Sequence, residues 1–438
     1  MADYTREEIE AKLAERAEAE DEEEKEPLSF AGADLSGLDL SSLDLGGVNL
    51  CGANLNAADL KRADLSNADL SEAQLDRTDF SAANLSETNF SKTDLRTANL
   101  EEADLRRADL TESNLDDIVL CETNLSRAVF TRANLRRAKI TDCDLSRANF
   151  REAVLGGADL TDSKLSIGYY HGANLEGAVL VRTELKGAKL TGVRLDDADL
   201  SRADLAGVDL TDATVRNANL NHVNLTGAIL RRTDLAGSNL TEADLNIADL
   251  TGANLLDTRL GGATLTRIKL QEGTLDGAQL SGADLGKGRF IKARLARADL
   301  SGANVAGADF TEAQAEGADF SRADLRQTNF QKADAAASFL TGANLEQADL
   351  AGANFQNADF AGAKLTRSNL QKTRLADANL QRADLQHCNL SGADLRNANL
   401  TGAKLNEACL RQADLTGAVL DGADLTDADL TGVMGRKS

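Results

Sequence analysis

Every fifth residue from Phe30 to Leu430 is apolar, without a slip. Most of these positions hold Leu or Phe; the exceptions are Ile140, Tyr170, Val215, Val305, Ala315 and Ala335. Two residues earlier stands a small residue, usually Ala, and one residue earlier Asp or Asn, as in Ala33-Asp34-Leu35, Ala63-Asp64-Leu65 and Ala423-Asp424-Leu425. A period of five fits neither the 3.6-residue face of a helix nor the two-residue face of a strand. So short a repeat, unbroken over nearly the whole chain, predicts a solenoid, in which each unit buries its apolar side only by stacking on its neighbours.

The aromatics show a second regularity. Twelve central positions are aromatic, and eight share one column when sorted by number modulo 20: Phe30, Phe90, Phe130, Phe150, Tyr170, Phe290, Phe310 and Phe330. Turns of that length, four pentapeptides, place those rings above one another, where offset stacking is favourable.

The A(D/N)LXX pattern resembles the pentapeptide-repeat family over residues 28–432. The resemblance implies an all-β fold, a right-handed quadrilateral β-helix with four pentapeptides per turn. Leu or Phe and the small residue point inward, and the other three residues face water. About 20 turns at ~4.8 Å each give a rod of roughly 97 Å. The Asp or Asn is expected to accept hydrogen bonds from nearby backbone N–H groups, as these residues do in turns.

Three segments follow. Residues 1–27 lie outside the repeat and carry 12 acids against 4 bases. Thr5 and Glu8 have the spacing of a capping box, and Arg6 to Ala19 is rich in helix formers. A short N-terminal α-helix is expected there, docking through Ile9 and Leu13, with Tyr4 and Ala17 nearby, and capping the first turn. Asp21-Glu22-Glu23-Glu24 and Pro27 form an acidic linker. Residues 28–432 form the β-helix, whose larger inward residues Leu38, Leu43 and Val48 suggest a wide first turn. Residues 433–438 are a tail. Val433 and Met434 are the candidates for self-association, as a homodimer through C-terminal ends.

The net charge of −23 is unevenly spread: residues 31–130 contribute −11 and residues 131–410 only −2. The family includes proteins that bind bacterial type II topoisomerases and shield them from quinolones by resembling DNA. A duplex carries one charge per ~1.7 Å, so a rod of that length would need roughly 57 negative charges. Mimicry is therefore confined to the acidic first third, around Glu101, Glu102, Glu112, Asp116, Asp117 and Glu122. The basic groups Arg132, Arg136, Arg137 and Lys139, then Arg289, Lys292, Arg294 and Arg297, are short and lack interleaved aromatics. No direct nucleic-acid partner is expected. A candidate apolar patch comprises Ile167, Tyr169, Val179 and Val181; Phe339 is a further outward aromatic.

No catalytic chemistry is legible. His171, His222 and His387 lie turns apart, and there is no P-loop, zinc spacing or nucleophile motif. No cofactor or metal is expected. Of the five cysteines, Cys143 and Cys388 take inward positions and Cys51, Cys121 and Cys409 outward ones, without a disulfide plan, which suggests a reducing cytoplasm. No apolar run is long enough to cross a membrane. The sequence reads as a noncatalytic, rod-shaped interaction or scaffold protein; the alternative is a DNA-mimicking modulator of a type II topoisomerase, DNA gyrase or topoisomerase IV.

Overall fold

A computed structural model describes residues 2–18 and 28–435. The expected acidic linker and the last three residues lie outside the described residues. The chain forms two compact units, Met1–Thr214 and Val215–Ser438. Both are built from the same five-residue device.

Each pentapeptide contributes one β-bridge and one corner. The residue before the central apolar one pairs in parallel with its counterpart four pentapeptides on, as in Asp34 with Asn54 and Asn219 with Asn239. The turn of four pentapeptides that the resemblance implies, and that the aromatic column agrees with, is thus the structural repeat. Backbone groups are consumed between turns: Leu35 N–H donates to the Asn54 carbonyl at 2.8 Å, and Asn54 N–H donates to the Ala33 carbonyl at 2.9 Å. This pairing lets the chain bury its polar backbone beside an aliphatic core.

The corner is a tight turn closed from the small residue back to the preceding central one, as in Ala58 N–H to the Leu55 carbonyl at 2.9 Å. Its third residue has positive φ, which makes it a type II turn. Every position whose number ends in 2 or 7 between 32 and 432 adopts this left-handed conformation except Thr97. Gly suits it, yet Arg, Glu, Lys, Asp and two Ile hold it too, with φ of 52–63°. At Thr97 the side chain compensates: its hydroxyl accepts the Arg77 N–H at 3.0 Å.

The Asp and Asn do what the sequence predicted. Asp34 Oδ1 accepts the Ser36 N–H at 3.1 Å, and Asp64 Oδ1 accepts the Ser66 N–H at 2.9 Å. They also join turns: Asn54 Nδ2 donates to Asp34 Oδ1 at 3.0 Å and Asn84 Nδ2 to Asp64 Oδ1 at 3.0 Å.

The core holds four files of central residues, one per side, backed by the small ones. In unit 1 the rings of Phe130, Phe150 and Tyr170 stack, with centroids 4.6 and 5.2 Å apart. In unit 2 Phe290, Phe310 and Phe330 stack at 4.8 Å. At two of these rings, room comes from glycine at the small position. A Cβ on Gly168 would lie 2.6 Å from the Tyr170 ring, and one on Gly288 2.7 Å from Phe290. Cys143 and Cys388 are buried at small positions, and burial pushes both thiols up to about 12. They behave as packing atoms, not nucleophiles.

Helix α1, Arg6–Glu18, lies on the first turn of unit 1. The capping box forms: Thr5 N–H donates to Glu8 Oε2 at 2.8 Å and Glu8 N–H to Thr5 Oγ1 at 3.3 Å. Ile9 is fully buried, Leu13 only half-buried, and Tyr4 meets Phe30 edge-on at 5.1 Å. Arg6 and Arg16 donate to the carbonyls of Asp39, Ser41 and Gly46 at 2.8–3.1 Å. Asp3 pairs with Asp34 through both the Asp3 N–H and its own carboxylate, each at 2.7 Å. Leu38 and Leu43, at positions elsewhere taken by Ala, are half-buried in this wider turn.

Two outcomes follow from this packing. The Tyr170 hydroxyl is buried with no hydrogen-bond partner. An unmet buried polar group costs about 1–3 kcal/mol, so Tyr170→Phe is expected to raise the denaturation midpoint; an unchanged or lower midpoint counts against the assignment. The carboxyls of Asp414, Asp424 and Asp429 are held below the usual range by the hydroxyl and then the N–H of the Thr two residues on. A depressed carboxyl stabilises the fold above its unfolded value of ~3.9 and stops doing so as pH falls through its folded value. Acid titration followed by circular dichroism should show stability flat near neutrality and falling only below about pH 4.

Candidate functional site

With the core filled by one central residue from each of four sides, the polar and charged side chains are presented outward. In unit 1 the four sides of a turn are marked by four bridge columns. The first runs through Asp104, Asn124, Asp144 and Lys164. The second has Val129, Asn149, Tyr169 and Lys189, the third Asn114, Asn134, Val154 and Asn174, and the fourth Val119, Lys139, Asp159 and Val179. The first and third sides are opposite, as are the second and fourth.

The six acidic candidates are divided among three corners. Glu101, Glu102 and Glu122 stand between the fourth and first sides. Glu112 stands between the second and third and pairs with Arg132 at 3.0 Å. Asp116 and Asp117 stand between the third and fourth, and Arg137 grips both at 2.9 and 2.7 Å. A continuous acid column does exist where the sequence reading stopped short. Glu102, Glu122, Asp142 and Asp162 recur once per turn on one corner, with Arg182 closing it on Asp162.

The apolar candidates divide as well. Tyr169 belongs to the second side and Ile167 to the corner leading into it, 43% and 52% exposed. Val179 lies on the opposite, fourth side, and Val181 at the corner between the fourth and first, both half-buried. Nearness in sequence misled because two pentapeptides carry the chain halfway round a turn.

Tyr169 has different neighbours instead. The Arg151 guanidinium lies over its ring, 5.3 Å from the centroid. His171 Nδ1 lies 3.1 Å from Thr191 Oγ1. Arg107, Arg127 and Arg147 follow one another up the corner that ends in Ile167. Each donates its N–H to the residue before the next member: Arg127 to Ser146 at 2.9 Å, Arg147 to Ser166 at 2.9 Å. Sequence reading missed this group because its members are a full turn apart; sorting charges by the modulus already applied to the aromatics would have found it.

At the far end of unit 2, Met434 bridges Asp414 and is 54% exposed, and Val433 is half-buried. Leu420, Leu425 and Leu430 above them are half-buried, unlike the central residues of earlier turns. His222 meets Glu242 at 3.2 Å and His387 meets Glu407 at 3.2 Å, each pair joining successive turns at an exposed corner. Among the described residues no group of three or more His, Cys, Asp or Glu is arranged to hold a metal, and no helix is long and apolar enough to cross a membrane. An open hollow of about 550 Å³ is lined by polar and charged side chains, among them Lys61, Arg62, Glu101 and Glu102.

Ile167 is β-branched and has φ of 60°. A non-glycine residue held there costs on the order of 1–3 kcal/mol. Ile167→Gly is therefore expected to raise thermal stability while removing exposed apolar surface; a lower melting temperature would mean that Ile167 contributes packing that outweighs its strain.

A family model for pentapeptide repeats (8 copies) matches successive stretches from residues 29–67 to 398–433. Among solved structures the chain is similar to HetL, a pentapeptide repeat protein involved in heterocyst differentiation regulation in Nostoc sp. strain PCC 7120. Identity is 34%, covering 54% of this chain and 90% of HetL, with a TM-score of 0.19. It is similar to a pentapeptide repeat protein of the Arabidopsis thaliana thylakoid lumen: 32% identity over 22% of this chain and 71% of that one, TM-score 0.19. It is also similar to QnrB1, a plasmid-mediated fluoroquinolone resistance protein: 22% identity over 46% of this chain and 88% of QnrB1, TM-score 0.22. No curated protein matches the chain.

Proposed function

Because the chain belongs to the pentapeptide-repeat family, whose right-handed quadrilateral β-helix it adopts, we propose that it is a noncatalytic interaction or scaffold protein acting in the cytoplasm. Pentapeptide-repeat proteins are generally noncatalytic. The observation that carries the reading is the exposed Ile167–Tyr169 pair on the second side of unit 1. Two large apolar side chains left facing water beside one another are surface that a partner could cover. Immobilised protein should retain a partner from its native lysate in a fixed ratio, and Ile167→Asp with Tyr169→Ala should release it. Retention of the same proteins by both forms argues against the reading.

A second reading, modulation of DNA gyrase or topoisomerase IV by an acidic surface, is favoured by the Glu102–Glu122–Asp142–Asp162 column. It predicts that the protein alters supercoiling by gyrase and that Glu102→Lys with Glu122→Lys abolishes the effect. In either reading, the half-exposed Leu420, Leu425 and Leu430 support self-association at the C-terminal end of unit 2, with Val433 and Met434 at the contact. The cluster Asp421, Asp424, Asp427 and Asp429 makes that contact stronger as salt screens it.

A further inference from the structure

In a chain of net charge −23, the second side of unit 1 is basic between Val129 and Lys189. Arg107, Arg127 and Arg147 line its leading corner, Lys189 continues its bridge column above Tyr169, and Arg151 lies across the Tyr169 ring. From Val129 to Lys189 its bridge column holds no acid. Arg107 is neutralised by Glu87 at 2.6 Å. Among the described residues Arg127, Arg147 and Lys189 have no ion-pair partner, although acids are plentiful on the neighbouring corner. Stacked like charges at ~4.8 Å spacing repel one another. An acidic ligand would relieve that repulsion.

We propose that this side docks an acidic segment of a protein partner, whose carboxylates meet Arg127, Arg147 and Lys189 while an apolar or aromatic side chain covers Ile167 and Tyr169. The proposal rests on the interaction reading above and names the partner's chemistry. Arg and Tyr around a small apolar centre are the residues that dominate protein interfaces. The guanidinium fork suits carboxylates held in pairs. The backbone of this side is already consumed: Tyr169 N–H donates to the Ala148 carbonyl at 3.0 Å, and the Tyr169 carbonyl accepts the Phe150 N–H at 2.7 Å. A partner therefore cannot add a strand and must be read by its side chains. A nucleic acid fits less well, since Tyr169 is a lone aromatic with one ring face already taken by Arg151 and stacking platforms use several. A lipid surface fits less well, since two apolar side chains give little area to insert.

The test is fluorescence anisotropy on the full chain with a labelled peptide of three Glu-Leu-Glu-Tyr repeats, beside the same peptide with Lys for Glu, labelled oligothymidine and phosphatidylserine vesicles. The acidic peptide is expected to bind at low salt, to weaken as salt rises, and to lose about tenfold or more in affinity with Arg127→Glu and Arg147→Glu. Tyr169→Ala, which leaves the charges in place, is expected to weaken binding with its salt dependence intact. Equal binding to wild type and the charge variant overturns the proposal, as does no binding of the acidic peptide. So does tighter binding of oligothymidine or vesicles that is lost in the same variant. A partner captured through Ile167 and Tyr169 alongside a failed acidic peptide would leave the interaction reading standing and remove the acidic chemistry alone.

Discussion

The corner made at every pentapeptide is the constraint from which the rest follows. A type II turn demands a left-handed residue at its third position, and the chain supplies one at every corner but Thr97. Each corner brings the next bridge residue over its counterpart one turn back, which satisfies the backbone and fixes the core at one central residue per side. Where a corner carries Arg or Glu instead of Gly, the strain is small and repeated, and the cooperative backbone pairing of the stack holds it. The same geometry explains the Asp and Asn positions: a carboxylate or amide two residues before a turn N–H is in reach of that group and of the Asn one turn on.

A narrow core limits what the protein can do chemically. Among the described residues the core is filled by apolar side chains, and buried Ser and Thr hydroxyls are bonded to backbone carbonyls, as Thr78 is to Leu55 and Ser163 to Ile140. Function belongs to the outward residues, and the repeat acts on them as a sorting device. Residues a full turn apart become neighbours; residues half a turn apart face opposite ways. Unit 1 uses this to place an acid column, Glu102 to Asp162, and a basic one, Arg107 to Arg147, on adjacent corners. A chain with an acidic average thereby offers surfaces of both signs.

Much of the fold was determined by sequence alone. The unbroken period of five marked the apolar positions, the family resemblance implied four pentapeptides per turn with the aromatic column in agreement, and Thr5 with Glu8 marked the start of the helix. These follow from rules that act within one repeat or between identical positions. Tertiary structure alone decided which outward residues are neighbours. It separated Val179 and Val181 from Tyr169, divided the six acids among three corners, and put Arg151 over Tyr169. It also showed that the corner residues are left-handed even where they are Arg, Glu or Ile, because backbone pairing between turns overrides local preference. The inward pattern is legible because burial selects residue type at every repeat. The outward pattern is not, because water accepts almost any polar side chain, and only winding of the chain gives those side chains their neighbours.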